Sequence, residues 1–239
     1  MGRERNVAKD RLREVLGGTR NSDGLEMRDV VNFCFLYPAV LIAMLQVAHA
    51  DGSRFWIDGD SLFFNSNIPY PGGSETDIVD KDADELGLYV MEELNLKVVI
   101  LESWGGNEAS ALRMATTILE FGLATEVRGN CESACPLIFL AGRPRTISVG
   151  GQIGFHRSSA TPLDIRDFTL KWKEEHGESL PFREIVYDDS ITSGVTTSRY
   201  MLNHGVSEEF VLKTLGIPPR EMLRPTRAEL VTAGIIHAD

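Results

Sequence analysis

Apolar positions along this chain fall into three regimes. From Val30 to Ala50 they run for 21 residues without one Asp, Glu, Lys or Arg. From Phe55 to His156 they come in short strand-like bursts that alternate with helical faces. From 163 to 215 they thin into a mostly helical pattern in which Phe168, Leu170 and Trp172 supply the apolar contact.

The middle regime is the most informative. Phe55-Trp56-Ile57 and Ser61-Leu62-Phe63-Phe64 are β-type runs joined by the turn signal Asp58-Gly59-Asp60. Pro69 to Ser74 reads as a loop. Residues 80–93 read as an exposed helix with Leu86, Val90 and Leu94 at four-residue steps. Lys97 to Glu102 is the clearest buried strand, and it runs into Ser103-Trp104-Gly105-Gly106-Asn107. Ala111, Leu112, Ala115, Ile118 and Leu119 then share one helix face that stops at Gly122. Ala124 to Val127 is a further strand. Gly129 to Pro136 opens an apolar helix over Leu137–Ala141, ended by Gly142. Thr146–Val149 and Ile153–His156 are strand-like. Near the end, Thr226 with Glu229 forms a capping box before Leu230, and Gly234 is a stop. Strands alternating with helices over 97–156 predict an α/β fold with a mainly parallel sheet.

The first regime bears on compartment. Roughly 20 apolar residues can span a bilayer. The run ends in Ala48-His49-Ala50, a small-x-small pattern of the kind cut by signal peptidase. Read from Met27, it is a 24-residue signal peptide with Arg28 in its n-region; residues 1–29 together hold 7 basic and 6 acidic side chains. The expected organisation is an extension over 1–26, a signal peptide or uncleaved signal anchor over 27–50, and one α/β domain over 51–239. A buried core helix fits poorly, because no polar stripe marks an outer face. Either of the first two readings exports the domain to the periplasm or holds it on the membrane facing that side.

Charge and cysteine content narrow the chemistry. The 239 residues carry a net charge of −11, and the part from Asp51 onward, with 17 basic and 29 acidic residues, carries −12. That argues against nucleic acid as a partner, since phosphate binding needs a basic surface. The acid-rich stretch 77–93 lacks calcium-loop spacing and reads as a solvated face. The histidines at 176, 204 and 237 are isolated, so neither a metal nor a cofactor is expected.

Three pieces in order make a chemical set. Gly105-Gly106 follows a strand, Ser133 stands where a helix begins, and His156 ends a strand. Singly, each has a structural explanation: a turn, a cap, a satisfied histidine. Together they supply a nucleophile, a base with the right intrinsic pKa, and backbone N–H groups at Ala134 and in the glycine loop for an oxyanion. Acyl transfer is the reaction class such a set performs.

Val98-Val99-Ile100-Leu101-Glu102-Ser103-Trp104-Gly105-Gly106, Cys131-Glu132-Ser133-Ala134-Cys135, Gly142-Arg143-Pro144-Arg145 and Ile153-Gly154-Phe155-His156 resemble the Clp protease proteolytic subunit (ClpP) superfamily, which includes crotonase-like folds. The similarity is to its exported branch, where a Cys-x-Ser-Ala-Cys segment surrounds the nucleophile. It is clear over 97–157, weaker over 55–96 and 220–236, and absent over 160–215. The resemblance implies a ClpP/crotonase-like spiral of ββα units, with Ser133 as nucleophile, His156 as base, and Gly105, Gly106 and Ala134 around the oxyanion. It implies a peptide or protein substrate and a homo-oligomer. Two departures stand out. Trp104 replaces the usual proline of Ser-Pro-Gly-Gly. The third, acidic member has only Glu221 near its expected place, with Asp188 and Asp189 as further candidates and a Ser-His dyad as the alternative.

Cys131 and Cys135 can be small buried hydrophobes; export favours a disulfide between them. Closing so short a loop adds only about 2 kcal/mol, so its use is to fix the serine turn. The expectation is thus an exported serine hydrolase, an ATP-independent peptidase, with a non-catalytic binding or scaffolding module of the same fold as the alternative. An acyl-CoA enzyme of the crotonase type is disfavoured, because export separates the protein from coenzyme A.

Overall fold

The computed structural model describes residues 53–159, 162–177 and 182–237. The extension and the signal or anchor segment expected over 1–50 lie outside the described residues. Among those described, no helix is long and apolar enough to cross a membrane.

The chain enters through an antiparallel hairpin, β1 (Phe55–Asp58) and β2 (Ser61–Asn65), with Gly59 at φ +64° in its turn. Helix α1 (Asp80–Glu92) leads to β3 (Val98–Ser103), and α2 (Glu108–Phe121) leads to the long strand β4 (Ala124–Glu132). Helix α3 (Cys135–Ala141) follows, then β5 (Arg145–Ile147) and β6 (Gln152–Gly154). The rest is helical: α4 (Pro162–His176), α5 (Phe182–Asn203), α6 (Glu208–Leu215) and α7 (Arg227–Thr232). The ββα order occurs at β1-β2-α1; β3-α2 and β4-α3 continue as single-strand steps.

The sheet runs β1-β2-β3-β4-β5, parallel from β2 onward, with β6 also on β4. One edge of β4 is therefore shared. Residues 125–127 pair with β5 and residues 130–132 with β6. Strand β4 extends well past the Val127 expected from sequence. A register shift against β3 at 128–130 lets it bend, and Gly129 lies so close to Glu102 that a β-carbon would stand 2.7 Å from that side chain.

Period-two alternation sorts the sheet faces. Leu62, Phe64, Val99, Leu101, Val127 and Ile153 face α1, α2 and α3 and form the core with Leu86, Met114, Ile118 and Phe139. Burying each such side chain contributes about 1.5–3 kcal/mol. Helix α3 is apolar all round and buried all round, as its sequence requires. On the other face Ile100 is also buried, flanked in register by Phe63 and Glu126. The Arg128 guanidinium lies over the Phe63 ring and bonds Glu126.

Several local expectations change. Helix α1 ends at Glu92, so Leu94 is not the third step of its apolar face but 85% exposed. The acid-rich helix is not wholly a solvated face. Asp82 is fully buried and bonds Arg54 at 2.8 Å. Arg54 also donates to the carbonyls of Ile68, Glu75 and Asp77, so its charge is satisfied on all sides. The Tyr70 hydroxyl donates to Asp82 as well, and burial followed by that carboxylate raises the Tyr70 pKa. The capping box forms as read: the Thr226 N–H and hydroxyl both donate to Glu229, which with Lys213 holds the Glu229 carboxyl down to about 2.

Candidate active site

Three strand ends meet at one edge of the sheet. Parallel register sets Cys131 opposite Ile153 and Glu132 opposite Gly154, so β4 and β6 deliver Ser133 and Phe155 side by side, with His156 next along. The Ser133 N–H closes this ladder on the Gly154 carbonyl at 3.1 Å. Strand β3 pairs Ser103 with Cys131 and brings its Gly-Gly segment to the same point. Open parallel sheets present ligand sites at the carboxyl ends of their strands, and this is such a place.

Ser133 sits at φ +59°, the one described residue other than glycine with positive φ. Left-handed backbone costs an L-residue roughly 1–2 kcal/mol, so the turn is held by its surroundings. One restraint is the Cys131–Cys135 disulfide, which brackets the serine. The two cysteines lie fully buried with their Cα atoms 5.1 Å apart. A second is an ion pair from the far end of the chain: Arg224 Nε donates to the buried carboxylate of Glu132 at 2.8 Å. Phe155 and Leu223 exchange two backbone hydrogen bonds of 2.9 Å beside it.

The glycine loop divides its work. At Gly105, φ is +107°, and a β-carbon would collide with Ser133 Cβ and stand 2.8 Å from the Glu132 carbonyl and 3.1 Å from the Ala134 nitrogen. Gly105 is therefore required for close approach. Its own N–H is occupied, donated to the buried Ser103 hydroxyl at 3.0 Å, and that hydroxyl pairs with Ser66 at 2.6 Å. Among the described residues, the N–H groups of Gly106 (φ +141°) and Ala134 find no partner. The pair of free donors is thus Gly106 with Ala134.

His156 Nδ1 lies 2.7 Å from the Arg157 carbonyl. A carbonyl can only accept, so Nδ1 carries a proton; in the neutral ring the lone pair is then on Nε2. Ser133 and His156 line one cleft, whose walls are α3, the start of α2, α5 and the end of α6. No hydrogen bond joins the two side chains, and among the described residues no carboxylate bonds the imidazole. Glu221 is exposed, in a turn whose N–H returns to the Pro218 carbonyl, two residues before the Leu223 bridge. Asp188 and Asp189 fall in α5, with side chains outside those described. Trp104 is half exposed beside the glycines.

Sequence reading did not anticipate Ser103, Ser66, Glu132, Arg224 or Glu108. A serine at the end of an apolar strand, just before Gly-Gly, was a signal for Ser103. The others act through partners 37 to 92 positions away and leave no local pattern.

The fold is a mixed α/β architecture of the Clp protease proteolytic subunit kind. The chain is similar to a mutant of ClpP1 from Listeria monocytogenes, with a TM-score of 0.50 and 15% identity over 67% of this chain and 84% of that one. At that identity the likeness is one of fold. No protein-family model and no curated protein matches the sequence.

Proposed function

We propose that this protein is an exported serine hydrolase, an ATP-independent peptidase, with Ser133 as nucleophile and His156 as base. The observation that carries the reading is the convergence at one sheet edge of a serine in a left-handed turn, two backbone N–H groups without a partner among the described residues, and a histidine whose Nδ1 is anchored on a carbonyl. In the reaction, Nε2 takes the Ser133 proton as Oγ attacks the substrate carbonyl carbon. The oxyanion is held by the N–H groups of Gly106 and Ala134, the second at the start of α3 where the helix dipole adds to it. The imidazolium then protonates the leaving amine, and water releases the acyl group by the reverse path. Gly105 serves by its missing side chain. The Arg157 carbonyl orients the ring where a triad would use an acid; Glu221 is the candidate for that place once substrate is bound.

Labelling with a fluorophosphonate probe tests this. Wild type should label, Ser133→Ala should not, and His156→Ala should label slower by orders of magnitude. An unlabelled wild type with intact fold returns the protein to the second reading, a binding or scaffolding module. That reading is favoured by the absence, among the described residues, of a carboxylate bonded to His156. Export rests on the uncharged segment Val30–Ala50 and is tested by N-terminal sequencing of protein from its host: a start at Asp51 supports a cleaved signal, a start at Met1 or Met27 in membranes an anchor. Homo-oligomerisation is a proposal from the fold alone, read by sedimentation.

A further inference from the structure

The cleft beside Ser133 has a chemical character that the hydrolase reading does not use. Its floor is apolar, built from Pro136, Leu137, Leu140, Phe155 and Met201, all buried. One carboxylate, that of Glu108, joins this lining. Glu108 opens α2 directly after the glycine loop, two residues beyond Gly106, one of the two oxyanion donors. Ser193 of α5 donates to Glu108 Oε2 at 2.5 Å and fixes the carboxylate against the wall, while Oε1 has no partner among the described residues. A half-buried carboxylate that shares its cleft with these apolar side chains matches a side chain with a long hydrocarbon stem and a cationic head.

We infer that this cleft is a specificity pocket for a lysine or arginine side chain of the substrate, with Glu108 reading the charge. The inference rests on the hydrolase reading, because only there does a group beside Ser133 flank the bond being cut. One cation, Arg157, lines the same cleft, but it is exposed at the rim, where solvent and salt screen it. Glu108 is the less solvated of the two and sets the preference. The charge of the domain acts in the same direction: −12 from Asp51 onward draws basic peptides rather than acidic ones to the surface.

The experiment uses three fluorogenic peptide amides that differ only in the residue preceding the cut bond: lysine, norleucine and glutamate. Norleucine keeps the stem and loses the charge. The expected wild-type order of kcat/KM is lysine above norleucine by at least tenfold, with glutamate lowest. Glu108→Gln keeps the shape and the Ser193 bond, and should collapse the lysine-to-norleucine ratio toward one; Glu108→Lys should invert lysine and glutamate. The ratios are internal to each variant, so loss of overall activity does not disturb them, and thermal unfolding confirms that each variant folds. A wild type that labels with fluorophosphonate yet prefers norleucine or glutamate overturns the pocket assignment alone. A lysine preference unchanged in Glu108→Gln overturns the role of Glu108. A folded wild type that does not label overturns both the hydrolase and the pocket.

Discussion

Gly105 and Ser133 are packed so closely that no side chain fits between them: a β-carbon on Gly105 would overlap the serine β-carbon. The glycine also sits at φ +107°, where any L-residue is strained. Gly105→Ala should therefore push the β3 loop away from the serine. We expect a lowered unfolding midpoint and a loss of at least tenfold in fluorophosphonate labelling. Unchanged labelling would mean that the two loops do not need to touch.

Ser133 itself stores strain. Replacing an ordinary strand residue by glycine weakens a protein through backbone entropy, by roughly 0.5–1 kcal/mol. At φ +59° that loss is offset by relief of about 1–2 kcal/mol of left-handed strain. Ser133→Gly should unfold at a midpoint no lower than wild type while labelling is abolished. A clear drop in stability would show that the hydroxyl, or the Cβ, contributes packing that outweighs the strain.

The disulfide separates local from global effects. Cys131 and Cys135 close a very short loop, so reduction should shift the unfolding free energy by no more than about 2 kcal/mol. The same reduction frees the turn that carries Ser133 and should slow labelling much more than it lowers stability. Intact mass with and without reductant should differ by two hydrogens. Labelling that tracks stability alone would argue that the bridge is only a staple.

Far from the site, Arg54 and Asp82 form a fully buried pair between the start of the hairpin and α1. Asp82→Ala leaves a buried guanidinium with three carbonyls but no counter-charge, and should cost about 3–5 kcal/mol. The measurement is denaturant unfolding. A loss under 1 kcal/mol would mean that water reaches Arg54 when its partner is removed.

Elements with their own periodicity are legible in the amino-acid sequence alone. The Leu86–Val90 face of α1, the Ala111–Ala115–Ile118 part of the α2 face with its Gly122 stop at φ +65°, and the Thr226–Glu229 capping box form where the spacing predicts them, whereas Leu119, expected on the same α2 face, is exposed. Such features depend on residues within a few positions of one another, and short-range spacing is what a sequence displays. Gly105-Gly106, Ser133, Ala134 and His156 can be singled out for the same reason, each by residue type at the end of a predicted element. Folding decides how those pieces divide their roles. That Gly105 yields its N–H to Ser103 while Gly106 keeps one free, that Arg224 reaches Glu132, and that Glu108 lines the cleft with Ser133 all depend on the register of β3, β4 and β6 and on the packing of α5. Register and helix docking are set by the summed burial of the whole core, which no local stretch of sequence contains.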